Sequence, residues 1–376
     1  MKYRKFGSLD YDASILGFGC MRLPVINGDA SKIDEPEAAK LVRYAIDNGV
    51  NYIDTAYPYH GGNSEAFLGR VLKDGYRERV KLATKLPIWS VQSKADCEKY
   101  LREQLDKLDT NHVDFYLVHA LNKERWDTVL RHDVLSFLDD AKSSGLIKHA
   151  GFSYHEDISF FRTILDAYDW SMCQLQINYM EDPAWLEEIK YAASKGIGVV
   201  VMEPLLGGKL AGEPPEDVKH IWNQADIKRS PAEWALRWVY DLPEVSLVLS
   251  GMSTLEQVME NIVVSDSCEP GSLTPKELSL VQKVREVFKE RIKVKCTECG
   301  YCLAGCPSNV HIFACFYYYN DAVAFNRYES ARKGYNSFKN KNNAAACIEC
   351  GKCEETCPQK LPIMKLLKEA NELLSQ

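Results

Sequence analysis

The sequence predicts an α/β protein: a (β/α)8 TIM barrel followed by a smaller, mainly helical C-terminal domain. Three observations predict it. Apolar runs of strand length alternate with helical patterns, eight of each, over about 250 residues, the unit count of a closed parallel barrel. Three successive runs, at 51–54, 80–85 and 113–119, end on the titratable residues Asp54, Lys85 and His119, as strands do where a barrel displays its chemistry. And eight of the 13 cysteines fall into two tight groups near the C-terminus.

Taken in order, residues 1–14 read as a hairpin turning at Gly7-Ser8-Leu9-Asp10 and leading into a first strand at Ile15-Leu16-Gly17-Phe18-Gly19. Further strands are expected near 51, 80, 113, 147, 172, 197 and 245. Helices are expected at about 36–49, 63–73, 93–109, 125–144, 156–168, 183–195, 230–241 and 254–265. A doubly wound sheet is the competing arrangement, but Gly17-Phe18-Gly19 runs into Cys20-Met21-Arg22 without the third glycine of a dinucleotide turn. The Ser-, Pro- and Gly-rich stretch 265–272 reads as the end of the barrel. Thr274-Pro275-Lys276-Glu277 is then a capping box with proline at the first helical position, and Leu278, Val281, Val284 and Phe288 share one side of the helix it opens. The expected domains are a barrel over 1–270, a linker helix over 271–292 and a cysteine-rich domain over 293–376.

Composition narrows the function. With 46% apolar and 26% charged residues the chain is neither disordered nor fibrous. No apolar run approaches membrane-spanning length, and Met1-Lys2-Tyr3-Arg4-Lys5-Phe6 lacks an apolar signal core, so a cytoplasmic protein without a membrane partner is expected. The net charge of −7 divides into +4 from Arg291 onward and −11 before it. An acidic body offers nothing to a phosphate backbone, and no nucleic-acid partner is expected. Oligomeric state has no signature here.

The cysteines are spaced Cys296-x2-Cys299-x2-Cys302-x3-Cys306-Pro307 and again Cys347-x2-Cys350-x2-Cys353-x3-Cys357-Pro358. In two-cluster ferredoxins the fourth cysteine of each motif ligates the other cluster. One [4Fe-4S] centre is therefore expected on Cys296, Cys299, Cys302 and Cys357, the other on Cys347, Cys350, Cys353 and Cys306. Structural zinc also takes four thiolates, but two full copies with a following proline point to clusters. The long insert between the motifs, with Phe316-Tyr317-Tyr318-Tyr319 and the polar stretch 336–343, predicts a mainly helical dicluster ferredoxin domain with a loop. Cys20, Cys97, Cys173, Cys268 and Cys315 fall off the pattern and read as buried small residues.

Asp54-Thr55-Ala56-x-x-Tyr59, Ala83-Thr84-Lys85 and Leu117-Val118-His119 resemble the signatures of the aldo/keto reductase family, and the resemblance runs along the barrel to about residue 265. It implies a tetrad of Asp54, Tyr59, Lys85 and His119. The chemistry is coherent by itself. A carbonyl that accepts hydride must also gain a proton; a phenol of pKa about 10 is a poor donor at neutral pH, and an ammonium beside it would pull that value down. Tyr59 is then the general acid, Lys85 its activator, Asp54 the anchor of Lys85 and His119 a hydrogen-bond donor to the carbonyl oxygen. His60, beside the acid, reads equally as a pocket-lining residue or as a loop histidine without a role.

The resemblance also implies a nicotinamide dinucleotide, NADP or NAD. It assigns the carboxamide to Ser153 and Gln174, the pyrophosphate to the loop of Leu205, Gly207 and Lys209, and the adenosine to Ser250, Gly251, Gln257 and Asn261. Three departures stand out. Met202 replaces the aromatic ring that stacks on the nicotinamide, Tyr154 replaces an asparagine, and the cations that grip a 2′-phosphate are missing near Gly251, Met252 and Gln257. Together these features predict an NAD(P)-dependent oxidoreductase acting on a small carbonyl or alcohol, with two [4Fe-4S] clusters for electron transfer. Nicotinamide moves a hydride and a cubane one electron, so a bound flavin is one way to join them, and an electron-carrier protein is the partner class the clusters imply. The alternative is an iron-sulfur electron carrier or redox sensor on a non-catalytic barrel.

Overall fold

The computed structural model describes residues 1–338 and 342–375. The loop expected at 336–343 therefore lies partly outside the described residues, as does the last residue of the expected C-terminal domain. Among the described residues ten strands form: β1 (Tyr3–Lys5), β2 (Asp12–Ser14), β3 (Leu16–Gly19), β4 (Tyr52–Asp54), β5 (Lys81–Leu86), β6 (Val113–Leu121), β7 (Ile147–Tyr154), β8 (Met172–Gln176), β9 (Gly198–Met202) and β10 (Val245–Ser250). β1 and β2 make the expected hairpin, with Tyr3 opposite Ser14. β3 to β10 are the eight parallel strands of a closed barrel, each beside its neighbour in sequence and β10 closing on β3.

The helices between the strands are α1 (Glu35–Asp47), α2 (Ser64–Val71), α3 (Lys94–Lys107), α4 (Lys123–Arg131), α5 (Val134–Ser143), α6 (Phe161–Leu165), α7 (Trp185–Ser194), α8 (Glu216–Trp222), α9 (Pro231–Tyr240) and α10 (Leu255–Asp266). The single helix expected over 125–144 is two, broken where Asp133 takes φ 53°. The one expected over 156–168 keeps only the short α6. Further on come α11 (Pro275–Arg291), α12 (Tyr301–Ala304), α13 (Ile312–Phe325), α14 (Tyr328–Asn336), α15 (Lys352–Thr356) and α16 (Ile363–Leu374). Among the described residues no helix is long and apolar enough to cross a membrane.

The chain forms two compact units: residues 1–204 with 235–273, which hold the ten strands, and residues 205–234 with 274–376. The first unit thus runs to 273, where a boundary near 270 was expected; 205–234 groups with the C-terminal part, and the helix expected as a linker lies in that unit. In the second unit Trp222 stacks on Trp234 with ring centroids 4.5 Å apart, and Arg229 pairs with Glu277 of α11. The capping box of α11 is formed, with Thr274 and Glu277 bonded to each other's backbone N–H. Its buried face is Leu280, Val281, Val284 and Phe288; Leu278, expected there, is exposed. α16 buries Ile363, Leu367, Ala370 and Leu374, an apolar stripe at helical spacing.

The barrel interior explains how the polar strand ends are aimed. Side chains two apart on a strand share a face. Tyr52, Ala83, Phe115, Leu117, Met172 and Val200 pack together in the barrel core with Phe6 of the hairpin, so Asp54, Lys85, His119, Gln174 and Met202 continue the inward-facing rows of their strands. Phe6 plugs one end, its ring 4.9 Å from that of Phe115 and 6.1 Å from that of Tyr52. β9 begins with glycine because a Cβ on Gly198 would stand 2.4 Å from the Phe6 ring.

That contact predicts a measurable coupling. Gly198→Ala should destabilise the barrel by about 1–3 kcal/mol through overpacking, and in Phe6→Ala, which vacates the space, the same change should cost less than half as much. Denaturant titrations of the two single variants and the double variant check this.

Candidate active site

The site is built where β4, β5 and β6 end. Lys85 is fully buried, with Nζ 2.7 and 2.8 Å from the two Asp54 carboxylate oxygens and 2.8 Å from the Thr55 carbonyl oxygen. Three oxygens thus account for the three ammonium donors. That satisfaction is what makes the burial tolerable, since an ion taken out of water costs several kcal/mol unless its partners are close. Tyr59 opens the turn that follows β4. Its hydroxyl is within reach of the Lys85 ammonium, which lies 5.3 Å from the ring centroid. The buried His119 ring stands edge-on to Tyr59 with centroids 6.2 Å apart. The four residues of the expected tetrad are therefore together.

Electrostatics at the site depart from expectation in one respect. Burial raises the Tyr59 pKa above its ordinary value of 10; Lys85 pulls it down, as expected, but does not win, and Asp54 adds to the rise. Burial is the larger effect because the phenolate would have to form where little water reaches. For Lys85 burial works against the charge, yet Asp54 and Tyr59 carry its pKa upward, so the ammonium persists. His119 is held well below the usual imidazole range by burial, then by the charges of Lys85, His155 and Arg125. A protonated phenol, a fixed ammonium and a neutral imidazole around one mouth can give a proton to an oxygen and stabilise what remains. His60, at φ 54°, ties Nδ1 to the Ala30 carbonyl oxygen at 2.8 Å, while its Nε2 is buried with no hydrogen-bond partner among the described residues.

The residues expected at a dinucleotide fall in two groups. Ser153 on β7 and Gln174 on β8 are register partners, both buried. The Ser153 hydroxyl oxygen accepts the Ala120 N–H at 2.7 Å, leaving its own proton to give. Gln174 Nε2 lies 3.6 Å from the Met202 sulfur, and its Oε1 is buried with no partner among the described residues. A carboxamide would supply the donor that Oε1 lacks, so these side chains fit the group. At the end of β10, Asn261 donates to the Ser250 hydroxyl at 3.0 Å, and the Gln257 side chain accepts the Ser253 N–H at 2.8 Å beside Gly251. Leu205, Gly207 and Lys209 belong to the second unit. There Lys209 has another partner: Nζ is 3.5 Å from Asp321 and 4.0 Å from the ring centroid of Tyr317 on α13. Tyr154, in the position expected for asparagine, is core, donating to the Asp157 carbonyl oxygen at 2.7 Å and packing on Phe161 and Trp185.

Sequence reasoning missed several residues that the fold brings to this mouth. Trp89 lies 5.1 Å from the His119 ring, and the Arg125 guanidinium is 5.5 Å from the centroid of Trp89. Ala120 takes φ 52°, a left-handed strain for a residue with a Cβ, and so offers its N–H to Ser153 and its carbonyl to Arg125. Arg22 covers Gly251, where a Cβ would meet its side chain at 3.2 Å; it is a cation from the loop after β3, not from the segment in which one was sought. A periodicity or spacing argument has no access to such contacts. The sequence signal for Arg125 was its place three residues after the helix cap Asn122.

The two cysteine loops have one backbone. Glu298 and Glu349 take φ 55° and 53°, Gly300 and Gly351 both 78°, and Asn309 and Lys360 50° and 52°. In each motif the first cysteine is half-buried, the second exposed and the third buried. Cys296, Cys299 and Cys302 line one pocket together with Cys357 of the other motif, beside Ile312, Phe313 and Phe316 of α13. The thiols surround this space; among the described residues no three Cys, His, Asp or Glu side chains converge as ligands of a single ion. A pocket walled by four soft donors fits an iron-sulfur cluster. The five cysteines off the pattern are all buried.

Comparison with known proteins bears on both units. The model of the aldo/keto reductase family matches residues 15–286, and that of a 4Fe-4S dicluster domain matches residues 289–359, which include all eight motif cysteines. Among curated proteins, L-galactose dehydrogenase of Arabidopsis thaliana is 26% identical over 77% of this chain and 96% of its own length. NADH-specific methylglyoxal reductase of Escherichia coli is 25% identical over 77% of this chain and 100% of its own. An aldo-keto reductase of Bacillus halodurans, solved in a holo form, superposes with a TM-score of 0.63 at 27% identity over 75% of this chain and 96% of its own. The fold of a Klebsiella pneumoniae aldo-keto reductase, solved with NADPH, is also similar, with a TM-score of 0.62 at 22% identity over 76% and 95% of the two chains.

The His119 environment predicts acid sensitivity. Its folded pKa lies below the ordinary 6.5, so unfolding takes up a proton once the pH falls below about 6.5. The stability this group contributes is complete above that pH and is lost below it, at no more than about 1.4 kcal/mol per pH unit. Between pH 7 and pH 5 the parent should lose about 1–2 kcal/mol more than His119→Gln in urea titrations.

Proposed function

The chain belongs to the aldo/keto reductase family and carries a 4Fe-4S dicluster domain. From that premise we propose that its barrel reduces a carbonyl compound, or in reverse oxidises the alcohol, with a nicotinamide cofactor, and that two [4Fe-4S] clusters connect the protein to one-electron carriers. The observation that carries the catalytic half is the buried Asp54–Lys85 pair under Tyr59, with neutral His119 beside it.

The roles follow from the geometry. Tyr59 gives its proton to the carbonyl oxygen as general acid. Lys85 stabilises the phenolate left behind, a task that matters the more because burial holds the phenol proton tightly. Asp54 and the Thr55 carbonyl keep the ammonium charged and in place. His119, neutral, donates an N–H to the same oxygen and strengthens that bond as negative charge gathers there. A bound nicotinamide supplies the hydride. Ser153 and Gln174 would hold its carboxamide, and Ser250, Gly251, Gln257 and Asn261, near the N-terminus of α10, would hold the adenosine end. Leu205, Gly207 and Lys209 are assigned to the pyrophosphate by family likeness; Lys209 would first leave Asp321. Arg22 against Gly251 offers a cation for phosphate, which keeps NADP as well as NAD open.

For the clusters, the gathering of Cys357 with Cys296, Cys299 and Cys302 supports the crossed ligand sets, Cys306 joining Cys347, Cys350 and Cys353 in the second. The clusters supply single-electron transfer; a flavin would reconcile this with hydride chemistry, and an electron-carrier protein is the partner they call for.

Two measurements test these roles. Tyr59→Phe should lower kcat/KM for aldehyde reduction by about 10²–10⁴-fold while the dissociation constant of NADPH or NADH, followed by cofactor fluorescence, stays within a few-fold. Turnover that survives the change removes Tyr59 as the acid. In anaerobically purified protein, Cys357→Ala should reduce iron content and absorbance near 400 nm to roughly half, because one of two four-iron centres loses a ligand; unchanged iron removes Cys357 as a ligand.

A further inference from the structure

The barrel mouth holds one strong charge that the proposed chemistry does not use. Arg125 lies in the first turn of α4, where its backbone N–H donates to the Asn122 cap at 2.8 Å. Its guanidinium donates to the Ala120 carbonyl at 2.6 Å, so it is anchored to the residue next to His119. Among the described residues it has no carboxylate partner, whereas Arg43, Arg70, Arg77 and Arg162 of the same unit pair with Asp74, Glu35, Asp114 and Glu188. The charge of Lys85 is already answered by Asp54. Arg22, the other cation brought to the mouth, faces Glu203 at 3.8 Å, so the excess positive charge there is that of Arg125, and it is felt at His119. A strained Ala120, at φ 52°, is the means by which this cation is fixed, and strain of that kind persists where the surroundings hold it for a purpose.

Resting on the reading of the barrel as a carbonyl reductase, we propose that its substrate carries a carboxylate, bound by Arg125 several bonds away from the reacting carbonyl. Trp89 neighbours both groups, its ring centroid 5.5 Å from the guanidinium and 5.1 Å from the centre of the His119 imidazole. Both groups lie against the one indole, so an aldehyde with a distal acid can set its carboxylate at Arg125 and its carbonyl at His119. The indole face offers the intervening apolar body a surface. A single guanidinium with one N–H already spent on Ala120 matches a planar monoanion, and the fork geometry distinguishes it from a lysine.

The test compares 4-formylbenzoate, its methyl ester and pyruvate as substrates of the full-length protein with NADPH and with NADH. The acid should exceed the ester in kcat/KM by about tenfold or more, mainly through a lower KM, as expected for a charge-assisted hydrogen bond. Pyruvate should be poor. In Arg125→Gln the acid-to-ester ratio should fall to about one, and Arg125→Lys should restore only part of it; thermal melts confirm that both variants are folded. Equal use of acid and ester by the parent, or a preference that survives Arg125→Gln, overturns the proposal. If the parent turns over neither aldehyde, the reductase reading fails and the Arg125 site is judged by titration with benzoate. Tryptophan quenching that is lost in Arg125→Gln and in Trp89→Phe supports it, and quenching that is absent from the parent, or unaltered in Arg125→Gln, ends it.

Discussion

The first unit is organised around a charge that water does not reach. An ammonium with no exposed surface is tolerable only if its donors are all answered, and the three oxygens that answer Lys85 come from Asp54, at the end of one strand, and Thr55, the residue after it. A slip of one residue in β4 against β5 would turn Asp54 outward and leave the ammonium alone, so the barrel's register and the site's chemistry are one constraint. The same burial fixes the protonation states around it: it holds the phenol proton of Tyr59 and denies a second charge to His119.

Much of this was legible in the residues. An apolar run closing on a titratable residue marks a strand whose inward row meets solvent, and the alternation of Phe115, Leu117 and His119 on one face shows why that inference holds physically. The cysteine spacing, with glycine after the second thiol of each motif, likewise fixed two loops that share a backbone path. What sequence could not supply was burial. The Tyr59 pKa was expected to move down because a cation beside it can be read from a motif, while the loss of water around it cannot. Leu278 was placed on the wrong side of its helix for a related reason: propensity and spacing leave Leu278 and Leu280 as rivals, and packing alone selects the second.

Trp89, Ala120 and Arg125 show a different limit. No motif joins them, because Trp89 follows β5 while Ala120 and Arg125 lie at the end of β6 and on α4, and Trp89 meets the others only once those two segments come together. Substrate preference in barrels is written in such loops while the reaction is written at the strand ends, which is why the reaction class could be read early and its selectivity could not.

The division of the chain has an implication for how it is made. Residues 205–234 have partners in the later segment of the same unit: Arg229 with Glu277, Asp217 with Arg291, Lys209 with Asp321. On the ribosome, where earlier segments emerge and fold first, this excursion must wait until the last quarter of the polypeptide has left the tunnel. The protein thus carries a built-in order of maturation, in which the segment between the ninth and tenth strands settles only when the thiol-bearing end has been delivered to receive it.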